Sequence, residues 1–375
     1  MEFKHYVGID VSKNTLDIAV IGHTQDAPVH TQISNNSTGL KQLSSWLKKI
    51  NNFEFSSTLF CMEHTGIYNN PVLHFLTKLS CTIWVENALQ IQRSIGLQRG
   101  KNDKIDAQRI AVYAAKNASE LSQYKPKREC IEQLKVLSSL RDQLIGIKKQ
   151  VETRLKEYSK FGDKTAVALM TKSTKYTLKG VNNDLKNLEN EILKVIANDE
   201  QLSQLYKLLL SVVGVGHVTA LQLMVHTNEM TLVNNPRSLA CHCGVAPFER
   251  SSGLFKGKAR VSHMANKRLK TALHMAALSA MKLDNELKIF YQRKVLEGKN
   301  KMSIINAIRN KLIHRIFAVV KRATPYQRDY HPISNIKKEE TATGTTPSGQ
   351  TIYTGPRGGQ YHYSKNGNKV YNKKK

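Results

Sequence analysis

Three short β-prone runs stand almost end to end in residues 4–35, and no helix fits between them. Tyr6–Asp10 is apolar, Val11–Lys13 turns, Thr15–Ile21 alternates and runs back, and His30–Ser34 offers a third strand. Connections this short join antiparallel neighbours. The pattern then changes period. Leu40, Leu43, Trp46 and Leu47 recur at helical spacing within Thr38–Ile50. Ser57–Met62 reads as a strand that delivers Glu63, and His64-Thr65-Gly66 turns the chain into a helix over roughly Asn70–Leu79. Thr82–Glu86 is another strand, and a further helix begins near Asn102. Three strands followed by helix, strand, helix, strand, helix make a mixed α/β domain.

Acids stand at the ends of these elements. Arg99–Ile110 reads RGKNDKIDAQRI, and Asp103 and Asp106 share one face near the start of their helix. Acids in a first helical turn also suit the helix dipole, and an Asp at a strand end also forms turns. The set of Asp10, Glu63, Asp103 and Asp106 would repel if gathered in one place and would persist only around cations. Oxygen ligands of this kind suit Mg²⁺ or Mn²⁺. Paired metals serve phosphodiester chemistry by stabilising both the attacking and the leaving oxygen.

The charge balance points the same way. The 57 Lys and Arg against 29 Asp and Glu give a net charge of +28, an excess that calls for a polyanionic partner, nucleic acid first. No basic amphipathic helix or lipidation signal stands at either end, no secretory signal is present, and no apolar run is long enough to span a bilayer. A cytoplasmic protein without a membrane partner is expected, nucleoid-associated when acting. The cysteines at 61, 81, 130, 241 and 243 are odd in number and scattered, which suits a reducing compartment. Cys241-His242-Cys243 is too tightly spaced for zinc and reads as core packing.

These residues carry a resemblance. GIDVSK at Gly8–Lys13, MEHTG at Met62–Gly66 and KNDKIDAQRIA at Lys101–Ala111 resemble the RuvC-like, RNase H-fold domain of the DEDD transposases, the recombinases of the insertion-sequence 110 family. The resemblance implies that Asp10, Glu63, Asp103 and Asp106 form an acidic tetrad that holds Mg²⁺ (or Mn²⁺).

Residues 126–200 change character. Cys130, Leu137, Leu144, Val151 and Tyr158 recur every seven residues, with Leu140 and Ile147 between them. After a polar break around Phe161–Lys175, Leu178, Leu185 and Ile192 resume the repeat, with Val181, Leu188 and Val195 between. This is a helical hairpin or coiled coil. In the resembling family the region joins the two catalytic parts and mediates subunit assembly. Further on, Val213-Gly214-Val215-Gly216 lies between two apolar helical stretches within Leu208–Leu223. It reads either as a helix–hairpin–helix turn whose amides approach a phosphate, or as a plain tight turn.

A second chemical stretch covers residues 244–273. From Glu249 to Asp284 no acid intervenes, while Arg250, Lys256, Lys258, Arg260, Lys267, Arg268, Lys270 and Lys282 do. Gly253 and Gly257 suggest a loop, and Lys267–Met281 a helix, so a basic loop feeds a helix in the manner of a phosphate-gripping surface. The first seven of those bases are candidate nucleic-acid contacts. Ser251 and Ser252 head the loop, either as turn residues or as a nucleophile whose cationic neighbours stabilise an alkoxide. The run from Gly244 through Pro247 to Ser252-Gly253, then Arg260, Ser262, Asn266 and Leu269, is similar to the C-terminal transposase domain of the same family. That similarity implies that Ser252 is the nucleophile. His263, Met264 and Ala265 depart from the Lys and Gly common in the family, which bears on a phosphate contact there. Gly298-Lys299, the helix Ser303–Lys321 and Pro325-Tyr326 resemble the family's C-terminal end, so the likeness runs over roughly residues 4–330.

The tail differs. No acid follows Glu340, and Thr341–Gln350 reads as a linker. Ile352–Tyr361 and Lys369–Tyr371 look like small strands with aromatic and basic residues, resembling a short basic adaptor-type module found appended to viral and bacterial proteins. Its tyrosines would stack on bases, or the segment is a disordered basic extension.

The expected organisation is a RuvC-like domain at 1–125, an α/β RNase H-like fold. A coiled-coil helical region follows at 126–200. A mainly α C-terminal transposase domain with the helix–hairpin–helix-like turn covers 201–330, then a linker at 331–350 and a basic module at 351–375. The family resemblance implies a transposase that exchanges DNA strands through a phosphoserine intermediate. It further implies donor and target DNA and a structured guide RNA as partners, and a homo-oligomer, dimer or tetramer. The alternatives are a metal-dependent structure-selective nuclease without a covalent intermediate, and a non-catalytic nucleic-acid-binding protein.

Overall fold

The structure is a computed structural model that describes residues 3–22, 28–94, 96, 102–253, 255–262, 265–328, 342–345, 350–354, 360–363 and 369–371. The side chains of Arg250, Lys256, Lys258 and Arg260, together with His263, Met264 and most of the 331–350 stretch, lie outside the described residues. The chain divides into two compact units, Met1–Arg128 and Glu129–Lys375.

The first unit is built on a five-stranded sheet. Strands β1 (His5–Val11), β2 (Thr15–Gly22) and β3 (Val29–Ser34) form an antiparallel meander. Helix α1 (Ser37–Leu47) leads to β4 (Thr58–Glu63), α2 (Asn70–Lys78) to β5 (Thr82–Glu86), and both of those strands run parallel to β1. The sheet order is β3-β2-β1-β4-β5, the RNase H-like arrangement. Helices α3 (Ala88–Ser94) and α4 (Asp103–Lys116) complete the unit. Alternation sorts the side chains by face. Val7, Ile9, Leu16, Ile18, Phe60, Met62 and Ile83 pack with Leu40, Leu43, Val72 and Leu76 of α1 and α2. On the opposite face Leu59, Cys61 and Trp84 meet Ile91 of α3 and Ile110, Tyr113 and Ala114 of α4. The short helix α3 has no counterpart in the sequence reading.

The second unit is mainly helical. Helices α5 (Glu129–Phe161) and α6 (Lys164–Ala197) form an antiparallel hairpin, with Arg141 Nη2 3.2 Å from Glu189 Oε1 and Lys148 Nζ 2.8 Å from Asn182 Oδ1. The break between them is far shorter than the expected 161–175. Asp163 caps α6 by accepting from the amides of Thr165 and Ala166, so the polar residues after it remain helical. Buried residues of the hairpin are Ile131, Leu134 and Ser138 on α5 and Val181, Leu188, Ile192 and Ile196 on α6. Ile131, Leu134, Leu188, Ile192 and Ile196 join a large core with α7 (Glu200–Ser211), α8 (His217–His226) and α9 (Pro236–His242). The same core includes α10 (Lys267–Leu283), α11 (Asn285–Leu296) and α12 (Lys301–Arg322). Cys243 sits fully buried in it, and burial pushes its thiol up to about 12.

Two sequence expectations change here. The segment read as a basic loop is a β-hairpin, β6 (Pro247–Ser252) against β7 (Phe255–Val261), with a register shift between Phe248 and Arg250. The stretch read as a linker contains β8 (Ala342–Thr345), which pairs with β9 (Thr351–Thr354). Strands β10 (Gln360–Tyr363) and β11 (Lys369–Tyr371) extend this into a four-stranded sheet ordered β11-β10-β9-β8. Among the described residues no helix is long and apolar enough to cross a membrane.

Candidate active site

Gly8 determines how closely α4 lies on the sheet. A Cβ there would stand 2.2 Å from the Ala107 carbonyl oxygen and 2.3 Å from the Ala111 nitrogen. Ala19, Ala107 and Ala111 fill the same contact, so helix and sheet meet backbone to backbone over β1 and β2. Asp10 lies two residues beyond Gly8 on the same face. Asp103 opens α4 one turn before Ala107, behind Asn102, whose side chain accepts from the Lys104 amide at 3.0 Å. The close approach therefore brings the Asp103 and Asp106 end of α4 to Asp10.

Glu63 arrives from the other side of β1. Ile9 pairs with Met62 in the parallel ladder, which places Glu63 level with Asp10 one residue further on. The turn after it is built around the buried Asn69. Its Nδ2 donates to the Glu63 carbonyl at 2.8 Å, and its Oδ1 accepts from the Thr65 amide and hydroxyl. Asn35 spans the neighbouring turns by donating to the carbonyls of Ser12 and Tyr68.

The acids act on one another. Burial first, then the charges of Asp103, Glu63, Asp106 and Asp17, raise the Asp10 carboxyl from the ordinary 3.8 to about 6. The sequence-predicted set thus converges electrostatically on Asp10. Its side chains do not yet converge as ligands: among the described residues no three His, Cys, Asp or Glu stand in position to hold a metal ion together. Asp106 instead pairs with Arg109 at 2.7 Å. The donor set still fits a hard divalent cation. It is all carboxylate oxygen, and it carries a proton-retaining acid at its centre where a cation would relieve the repulsion.

Sequence reasoning missed the rest of the row. Asp10 pairs with Asp17 across β1 and β2, Asp17 with Gln32 across β2 and β3, and Glu63 with Glu86 across β4 and β5. One line of polar residues therefore crosses the whole sheet on the α4 face. Its flanks are tied down. Asp17, 4% exposed, accepts from His30 Nε2 and Gln32 Nε2 at 2.9 Å each. Glu86 accepts from the Tyr113 hydroxyl at 3.2 Å and the Asn87 amide at 2.6 Å. The negative field reaches inward too: burial, then Glu86 and Glu63, push the Cys61 thiol well above its usual range. The signal available in the sequence was the placement of Asp17 in a run that otherwise reads as alternating strand.

Ser252 belongs to the second unit. It closes β6, pairs with Phe255, and stands exposed beside Gly253, whose φ of +55° makes the hairpin turn. Of the candidate phosphate contacts with described side chains, Lys267 is exposed at the start of α10, and Arg268 pairs with Asp142 of α5 at 3.2 Å. Lys270 packs near Gly244. Gly214 in the turn between α7 and α8 has a specific packing reason. Its φ is +93°, and a Cβ would stand 2.5 Å from the Ala280 Cβ and 2.6 Å from the Ala276 carbonyl oxygen. The missing side chain there admits α10. Gly216, which precedes α8, faces open space.

Comparison with known proteins gives two matched segments. Residues 7–158 match the DEDD transposase model of IS110, described as a transposase, and residues 206–292 match the transposase IS116/IS110/IS902 family. The chain is 28% identical over 334 residues to a pilin gene-inverting protein of Moraxella bovis, covering 88% of this chain and 99% of that one. It is 24% identical over 258 residues to a transposase for insertion sequence element IS1111A of Coxiella burnetii, covering 62% of this chain and 70% of the other. Among solved structures, T. thermophilus RuvC in complex with a Holliday junction substrate aligns over 32% of this chain and 99% of its own. That alignment has 11% identity and a TM-score of 0.25.

Proposed function

Because this chain belongs to the IS110 family of transposases, we propose that it recombines DNA through two sets of residues, an acidic tetrad in the first unit and a serine in the second. Residues 1–125 form the DEDD domain in this reading. Residues 126–200 act as a coiled-coil spacer and assembly element, and 201–330 form the serine-bearing domain. Asp10, Glu63, Asp103 and Asp106 would hold Mg²⁺ or Mn²⁺. When bound there, the cation stabilises negative charge on the attacking and leaving oxygens of a phosphodiester.

The chain's own residues do the rest. Ser252 Oγ gives up its proton and bonds to phosphorus. One P–O bond to a sugar breaks, and the departing oxygen leaves as a hydroxyl after taking a proton. The phosphoserine ester conserves the bond, so a second sugar hydroxyl attacks it, reforms a phosphodiester and returns Ser252 to its hydroxyl form. Arg250, Lys256, Lys258, Arg260, Lys267, Arg268 and Lys270 would grip the DNA backbone. The excess of 28 positive charges suits a second polyanion as well, and the family resemblance implies a structured guide RNA in that place. A dimer or tetramer in the cytoplasm, on the nucleoid when acting, completes the reading.

The observation that carries it is the pressure of three other tetrad acids on Asp10 in a chain that also matches the family's C-terminal part. The name of the Moraxella relative, a gene-inverting protein, is in keeping with DNA rearrangement. The alternative, a nuclease that uses water, has one observation in its favour: Ser252 occupies a hairpin tip, where serine is common for turn reasons.

The test is a search for an SDS-resistant protein–DNA adduct in cells carrying the gene with its flanking noncoding DNA. Wild type is expected to form the adduct, and Ser252→Ala is expected to lose it while still binding DNA and RNA. Metal-dependent cutting without any adduct would establish the nuclease instead. Asp106→Asn should lower metal-dependent activity steeply, and unchanged activity would remove Asp106 from the site.

A further inference from the structure

The four-stranded sheet at the C-terminal end lies outside both segments that match the transposase family, which stop at residue 292. Its side chains follow an uncommon pattern. Tyr353 pairs with Tyr361 across β9 and β10, and Tyr361 pairs with Tyr371 across β10 and β11. Directly opposite residues share a face, and so do residues two apart on one strand. Tyr353, Tyr361, Tyr363 and Tyr371 therefore occupy a single face. Ring centroids lie 6.0 Å apart for Tyr353 and Tyr361, 5.8 Å for Tyr361 and Tyr363, and 5.4 Å for Tyr361 and Tyr371.

The cluster has a buried centre and an open rim. Tyr361 is 1% exposed, whereas Tyr363 keeps 36% and Tyr371 64% of its surface in contact with solvent. A module this small can bury one ring among its neighbours, but the outer two spend apolar area on water. Lys369 shares the register row of Tyr363. The sequence around the sheet is one-signed: after Glu340 it holds Arg357, Lys365, Lys369, Lys373, Lys374 and Lys375 and no acid.

We infer that this sheet is a binding platform for single-stranded nucleic acid, with bases stacked on the rims of Tyr363 and Tyr371 and the backbone drawn by the positive charge of the surrounding sequence. Aromatic rings on an antiparallel sheet accept any base, because every base has a π-face, and splayed single strands expose those faces where a duplex does not. Cations alone would favour a duplex equally; the exposed tyrosines are what select a single strand. The inference is independent of the recombinase reading, since it uses no residue of the tetrad or of the serine hairpin.

Photo-cross-linking on the full-length chain tests it. Short oligothymidylate carrying 5-bromouracil, and the matching oligouridylate, would be irradiated with wild-type protein and the cross-linked peptides mapped by mass spectrometry. Cross-links on the peptide spanning 360–371 are expected, and the better of the two oligonucleotides tells whether DNA or RNA is the natural strand. Tyr363→Ala with Tyr371→Ala should remove those cross-links and weaken the strand's binding through this peptide about 10- to 100-fold, as loss of one or two stacked bases predicts. Tyr363→Phe with Tyr371→Phe should retain both, because the ring and not the hydroxyl carries the stack. Tyr361, the buried ring, is left in place in both variants. Cross-links confined to residues outside 351–371 in wild type would overturn the inference. Equal loss in the Phe and Ala variants would overturn it as well.

Discussion

Asp10 and Asp17 stand directly opposite each other in the β1–β2 ladder, two carboxylates on one face of the sheet. Like charges in that position destabilise a strand pair. The arrangement survives because the two acids are treated differently. Asp17 is anchored by His30 and Gln32, whereas Asp10 retains its proton toward a pH of about 6.

Removing the anchored acid should loosen β3. Asp17→Ala leaves the His30 and Gln32 donors without their acceptor, at a cost of about 1–3 kcal/mol. Urea denaturation of the first unit's transition would read this. A variant as stable as wild type would mean that water replaces the carboxylate.

The Asp10 carboxyl makes stability depend on pH in a definite direction. Its folded pKa is raised from 3.8 to about 6, so between those values the folded state binds more protons than the unfolded one. The stabilisation is therefore full below about pH 4 and is lost as pH rises through about 6. Asp10→Asn should remove that slope and, with chelator present at pH 8, stabilise the protein by about 1–2 kcal/mol after solvent screening is allowed for. Identical slopes for the two proteins would show that the acids do not press on Asp10.

Gly8 has no room for a side chain. Gly8→Ala must move α4 away from β1, at a cost of about 2–4 kcal/mol. Metal affinity should fall with it, since Asp103 and Asp106 ride on that helix. Calorimetric Mg²⁺ titration of folded protein measures the second effect, and wild-type affinity would uncouple helix packing from the tetrad.

Asn69 lies outside the tetrad but makes three hydrogen bonds in the turn that follows Glu63. Asn69→Ala should cost about 2–3 kcal/mol. Strand-exchange activity should drop more than the folded fraction does. Asn69→Asp, which keeps the acceptor and loses the donor to the Glu63 carbonyl, should fall between the two.

The path from sequence to site was clearest where chemistry lies at element ends. Asp10, Glu63, Asp103 and Asp106 each follow or open a periodic segment, so they could be singled out one by one. Asp17 and Glu86 could not. Their place in the row depends on which residue of one strand faces which residue of the next, a long-range relationship that alternation leaves open. The succession of strands and longer helices along the first unit was legible because each apolar run has one period. The β6–β7 hairpin was not, because Gly253 and Gly257 and the run of bases outweighed a pairing that only the partner strand reveals. Nor was the short α3, whose seven residues leave little room for a period.

No residue between 139 and 180 is buried, so the buried contacts of the α5–α6 hairpin lie at its base. The 23 residues of α5 from 139 to Phe161, at about 1.5 Å each, make an arm about 35 Å long. Such an arm is a lever. A tilt of about 5° at the buried base moves the Phe161 end through about 3 Å over that length. A small change of packing at the buried base is thereby enlarged at the Phe161 end of the hairpin.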